Sequence, residues 1–294
     1  MKLKLKKEIV ENKSLSNNAV MTYVGITSCY KRDFDFVFLN KNMINSYMTK
    51  KVCVSKKFDE NIRSGIKELL DKKIIVCNDK VGSDYYLGLQ NIQLDDNDKF
   101  IFVDFTDVQT IMTSNYKGKS NLLRFYICLL GTFISKNHIK DIRDPDKYNN
   151  VLGMMSQDYL AEIANISIHS VIEYIKELEK LKLIYVSRCS LKFKEQSGKV
   201  KKHNNIYGRY KDKELIDEFA NIRFSMYDDL HTTQKIKVVN NARSLIQKYN
   251  YLRGGQKYDK KTVAAIYEYV CSYNEKHPKK AKDMGVFEKY GYKV

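Results

Sequence analysis

Nine cationic residues crowd the stretch 185–213: Arg188, Lys192, Lys194, Lys199, Lys201, Lys202, Arg209, Lys211 and Lys213, against only Glu195 and Asp212. A net +7 in 29 residues repels itself unless water, salt or a polyanion neutralises it. Its chemistry is therefore charge neutralisation, and the phosphate backbone of DNA is the matching counter-charge. Just upstream, His169, Ser170, Glu173 and Lys176 recur at helical spacing and offer the donors and acceptors that read base edges in a major groove. On the other side of the same helix Val171, Ile175 and Leu178 recur at i, i+4 and i+7, with Ile168, Tyr174 and Leu181 flanking them, which is core spacing. A packing helix with a solvated charged face would look the same, and the basic stretch behind it tips the reading towards DNA.

Covalent chemistry finds little support. The histidines (His138, His169, His203, His231, His277) are isolated, so the paired-histidine metal site and tyrosine nucleophile of a rolling-circle initiator or relaxase cannot be assembled, nor can the Arg, His and Tyr set of a tyrosine recombinase. Gly118-Lys119-Ser120 ends like a phosphate-binding loop but lacks the upstream glycine at the required spacing. The six cysteines stand singly, without the spacing of a zinc site, and Asp95-Asp96-Asn97-Asp98 lacks the pattern and terminal Glu of a calcium loop. The expectation is a non-enzymatic protein without metal or cofactor.

These residues need elements to hold them. Ser156 can cap a helix over 157–164 with Tyr159, Leu160 and Ile163 facing inward; Asn165 breaks it, and Ser167 caps the second helix, which ends at Lys182. Leu183-Ile184-Tyr185-Val186 reads as a strand leading into a hairpin with Gly198 near its tip. That is a helix-turn-helix followed by a basic wing. An earlier stretch repeats it: NIRSGIKELLDKKIIV from Asn61 and SVIEYIKELEKLKLIYV from Ser170 share an Ile-Lys-Glu-Leu core and an exit into a strand. In this first copy Lys56, Lys57, Asn61, Ser64 and Lys67 take the outward positions of the candidate recognition helix, and the turn 79–84, containing Gly82, gives a much less basic wing.

The fold class expected is α+β, with two winged helix-turn-helix domains in tandem and a basic helical C-terminal extension. Residues 1–14, where Lys and Leu alternate, read as a short strand or a floppy basic arm, with a partly ordered arm favoured, 15–92 as the first winged-helix domain, 93–118 as an acidic linker with a connecting strand, 119–223 as the second, and 224–294 as the basic helical region. In the second domain an apolar helix over 122–134 should carry Lys119 and Arg124 on its outer surface. The chain bears +17 overall, of which residues 231–294 contribute +9 beside the +7 of the wing. In that tail Val238, Ala242, Leu245 and Tyr249 form one apolar stripe, Gly254-Gly255 interrupts, and Val263, Ile266 and Val270 form another.

Two such modules, the second with a basic wing running into Asn205-Ile206-Tyr207-Gly208-Arg209-Tyr210, resemble the replication initiators and replisome organisers of low-GC Gram-positive plasmids and phages over about residues 15–223. The resemblance implies binding to origin repeats, self-association as a homodimer, and recruitment of a host helicase or its loader. From the residues themselves, sequence-specific binding of double-stranded DNA is expected, with a winged-helix transcriptional regulator and a winged-helix protein-interaction module as alternatives. Without a long apolar run or a lipidation motif, no membrane partner is expected, and unpaired cysteines fit a reducing cytoplasm.

Overall fold

The computed structural model describes all residues except 30–35, 52–54, 82–83, 89–98, 140–141, 143, 190–191, 195–199, 230–238, 279–280 and 293–294. Helices and strands mix through residue 209, and the described elements after it are helical. In order they are β1 (Lys2–Lys6), α1 (Lys7–Val10), α2 (Asn17–Cys29), β2 (Phe36–Asn40), α3 (Lys41–Thr49), α4 (Lys56–Asp71), β3 (Val76–Val81), β4 (Asp84–Gly88), β5 (Phe100–Asp104), α5 (Phe105–Thr113) and α6 (Lys119–Leu130). There follow β6 (Leu152–Met155), α7 (Gln157–Ala164), α8 (Ile168–Lys180), β7 (Ile184–Ser187), β8 (Lys192–Lys194), β9 (Val200–Lys202), β10 (Asn205–Arg209), α9 (Lys213–Asp229), α10 (Val239–Arg253) and α11 (Lys260–Lys276). The chain divides into two compact units: residues 1–189 with 204–228, and residues 190–203 with 229–294. The acidic turn 95–98, Gly82, Gly198 and Val238 lie outside the described residues.

In the first unit one pattern occurs twice. Helix α2, strand β2, helices α3 and α4 and strands β3 and β4 come in that order, and the three strands pair as β2-β4-β3. Helix α6, strand β6, helices α7 and α8 and strands β7 and β10 repeat it, pairing as β6-β10-β7. Polar caps set the helix starts: the Asn40 side chain accepts from the Met43 amide (2.8 Å), Ser55 from Phe58 (3.3 Å), Ser156 from Tyr159 (3.1 Å) and Ser167 from Ser170 (3.1 Å).

The repeat reaches the backbone of the helix exits. After α4, Lys73 adopts a left-handed φ of 54° and the Ile74 amide donates to the Leu69 carbonyl at 2.9 Å; after α8, Lys182 adopts 55° and the Leu183 amide donates to Leu178 at 3.0 Å. A left-handed residue closing a helix in this way is usually glycine, because a Cβ is crowded there. Replacing either lysine with glycine should therefore raise stability, by about 0.5 kcal/mol after the extra unfolded-state entropy of glycine is subtracted. Equilibrium urea unfolding of Lys73→Gly and Lys182→Gly measures this, and a loss of stability at both sites would contradict the steric account.

The two patterns do not have separate cores. One continuous apolar cluster takes Ile44, Ile62 and Leu69 from the first, Leu123, Val171 and Leu178 from the second, and Leu3, Leu5, Ile101 and Val103 from the β1–β5 sheet. The acidic linker expected over 93–118 is corrected in part: residues 100–113 are β5 and α5, and Val108, Ile111 and Met112 belong to the shared core. The segment 1–14, expected as a partly ordered arm, is also corrected. Lys2–Lys6 pairs antiparallel with Phe100–Asp104, and Leu3 and Leu5 are buried, because alternation of Lys and Leu gives a strand one apolar face to bury.

Helix α6 lies at the centre, buried along residues 122–130. This corrects the expected outer position of Arg124, which is 4% exposed. Its guanidinium donates to the carbonyls of Val10 (3.0 Å), Asn12 (2.7 Å) and Leu15 (2.7 Å) and to the Asn17 side-chain oxygen (3.1 Å), fastening the turn between α1 and α2. Where α2 crosses α4, a Cβ on Gly65 would collide with the Thr22 hydroxyl and lie 2.8 Å from the Asn18 carbonyl, so the crossing requires glycine. Helix α9 covers a smaller cluster with Tyr148, Leu152 and Ile206, through Ile216 and Phe219, and runs on past residue 223.

In the second unit, β8 and β9 form an antiparallel hairpin whose register sets Lys192 opposite Lys202 and Phe193 opposite Lys201. Helices α10 and α11 bury Tyr249, Leu252, Val263, Ile266 and Val270 with Phe287. Asp259 caps α11 by accepting from the Thr262 amide (2.9 Å), and Gly255 takes the turn between the helices at φ 94°.

Candidate nucleic-acid interface

Capping fixes α7 and α8 against each other. Ser156 starts α7, Asn165 ends it in a left-handed conformation (φ 53°), and Ser167 starts α8 two residues later. Val171, Tyr174, Ile175 and Leu178 are buried, which turns His169 and Lys176 to solvent. Ser170 is half-buried and its hydroxyl shares a 2.9 Å hydrogen bond with that of Ser167, so it supports the helix start. Glu173 is exposed, but its carboxylate accepts a 2.7 Å hydrogen bond from Tyr116 in the loop before α6, and Tyr116 stands edge-on to Tyr174 with ring centres 6.1 Å apart. Burial and the bond to Glu173 both push the Tyr116 hydroxyl pKa up, so it stays a donor. Glu173, expected to read base edges, is thus a fastened side chain.

Two apolar residues appear on this surface, Ile168, expected beside the core stripe, and Ile172, not singled out in sequence. Ile168 is 46% and Ile172 36% exposed, in line with Lys176 at successive i, i+4 positions, and Tyr159 on α7 is 47% exposed where it was expected inside. Periodicity gave no signal for them, because a second apolar stripe beside the first reads as a wider core face. Exposed branched methyls are the groups that recognise the thymine methyl in a major groove. If α8 enters DNA, Ile172→Ala should weaken the preferred site about fivefold and leave a scrambled duplex unaffected, by competition titration.

The arginines behind α8 are tied to the protein. Arg188 forms a forked pair with Glu179 (2.9 and 2.5 Å), whose hydrogen bond raises the guanidinium pKa. Arg209 donates to the Phe102 carbonyl at 3.0 Å and lies 5.4 Å over the Phe133 ring. Both were expected on the DNA backbone, and each satisfies a neighbour within the fold. The lysines are distributed otherwise, with Lys192 and Lys194 in β8, Lys201 and Lys202 in β9, and Lys199 outside the described residues.

On α4, Lys56, Lys57, Ser64 and Lys67 are exposed, and among the described residues the three lysines make no ion pair. Ser64 donates to the Asn61 carbonyl (2.9 Å), and the half-buried Asn61 side chain accepts from Asn18 (3.2 Å), so neither is an unengaged polar group. Beside the helix start is an open cleft of about 470 Å³ lined by Ser55, Lys57, Asn61, Lys117, Lys119 and Ser120, among others. Lys119 donates to the Met112 carbonyl (2.9 Å), and burial together with the charge of Lys51 lowers its pKa. In sequence Lys119 was read in an incomplete phosphate-loop pattern and on the outer surface of a helix, and Lys117 was not singled out.

Among the described residues no group of three or more His, Cys, Asp or Glu side chains is placed to hold a metal ion, and no helix is long and apolar enough to cross a membrane. No family model and no curated protein matches the chain.

Proposed function

We propose that this protein binds double-stranded DNA sequence-specifically through two tandem winged helix-turn-helix domains, as a replication initiator or organiser of a plasmid or other mobile element acting on origin repeats. The observation that carries the reading is the β8–β9 hairpin. In chain order it is inserted between β7 and β10, after helix α8 with its exposed face, and its register sets Lys192 opposite Lys202. Opposed like charges weaken a strand pair, and a polyanion relieves them. The twice-used strand order and the free lysines of α4 support the same reading. In it, α8 reads bases through His169, Lys176, Ile168 and Ile172, while the lysines of the hairpin hold phosphates.

The test is a salt-dependent binding titration of the purified chain on DNA flanking its gene, with a scrambled duplex as competitor. Selective binding confined to direct repeats supports an initiator, and selective binding to an operator-like palindrome supports a transcriptional regulator. Exposed Tyr159, Ile168 and Ile172 would also suit a protein partner. Absence of duplex binding at physiological salt moves the function to that interaction.

A further inference from the structure

The two-stranded sheet β1–β5 has a solvent face of paired rings among cations. Leu3, Leu5, Ile101 and Val103 point into the core, so alternation sends Lys2, Lys4, Phe100 and Phe102 outward. The two phenylalanines are 37% and 48% exposed, stand on the same strand two residues apart, and meet edge-to-face with ring centres 5.1 Å apart. The Lys4 ammonium sits 3.9 Å over the Phe100 ring. Around them Lys2 and Lys99 are exposed, Arg209 reaches the Phe102 carbonyl, and exposed Tyr210 follows it in the chain. Asp104 opposes Lys2 in the register and is neutralised by Lys211 at 3.0 Å.

We propose that this face is a stacking platform for single-stranded nucleic acid, with bases on Phe100 and Phe102 and phosphates beside Lys2, Lys4 and Lys99. Two exposed rings among cations need an occupant that brings both flat apolar faces and negative charge. A second copy of this chain brings the rings but also the same lysines, in a molecule already at +17. A duplex keeps its base faces inside the stack and offers only phosphate. An unpaired strand offers both at once, and stacking on aromatic side chains is insensitive to sequence because every base has a π-face. The platform is built of residues other than those proposed to contact a duplex, and it does not depend on duplex recognition.

The experiment uses the full-length chain and fluorescence anisotropy at one salt concentration, with an oligothymidylate, an abasic oligonucleotide of equal length and a duplex. Replacing Phe100→Ala and Phe102→Ala together should weaken oligothymidylate binding about tenfold or more, to the level of the abasic strand, and leave duplex binding unchanged. Phe100→Tyr with Phe102→Tyr should keep the affinity, since the rings remain, and matching thermal melts of all variants verify the fold. Equal binding of the unaltered protein to thymidylate and abasic strands would overturn the proposal, leaving a simple cationic patch. It is equally overturned by absent single-strand binding, or by sedimentation showing that the alanine pair only dissolves a self-association. Loss of the duplex arm alone would defeat duplex recognition and leave the platform standing.

Discussion

Arg124→Ala should unfold at a markedly lower urea concentration, with stability reduced by about 3–5 kcal/mol. The guanidinium is 4% exposed and makes four hydrogen bonds, three of them to the backbone carbonyls of Val10, Asn12 and Leu15. Hydrogen bonds to a charged donor contribute more than neutral ones, and removing it leaves acceptors desolvated without partners. Arg124→Lys keeps the charge but supplies one ammonium where a planar fork spanned several acceptors, so it should recover only part of the loss. An effect below about 1 kcal/mol for Arg124→Ala would mean that water replaces the guanidinium at little cost.

The second large effect concerns binding. Replacing Lys199, Lys201 and Lys202 together by alanine should lower affinity for every duplex by on the order of tenfold or more, and reduce the slope of log affinity against log salt by about 2.7. The reason is counterion release: each phosphate neutralised by a lysine frees condensed cations, and three lost contacts remove three such contributions. Preferred and scrambled duplexes should suffer equally, since phosphate contacts position a protein without specifying a sequence. An unchanged slope would take these lysines out of the interface. Arg188 and Arg209 are left out of the substitution because Glu179 and the Phe102 carbonyl already hold them.

Local signals were legible. Ser156 and Ser167 begin helices, Asn165 ends one, and the shared Ile-Lys-Glu-Leu motif marks equivalent turns of α4 and α8. Each of these depends on residues within a turn or two. What escaped depends on partners far along the chain. Lys2–Lys6 finds its mate about a hundred residues away, at Phe100–Asp104, and Arg124 meets carbonyls of residues 10–15. Periodicity told which side of α6 was apolar but not that a polar turn would close over the remaining side. The bond that holds Glu173 was hidden for a related reason, since its solvent-facing position is real and Tyr116, which donates to it, comes from a loop far along the chain.

The continuous core running from Leu3 to Tyr207 makes the molecule a ruler. Helices α4 and α8 are set into one packed interior, and packed interiors do not stretch. On the proposed reading, two reading heads with a fixed separation measure a polymer that itself turns once every ten or so base pairs. The distance and rotational phase between paired target segments are then selected along with their letters, and sites spaced by the wrong fraction of a turn are rejected however good each segment is.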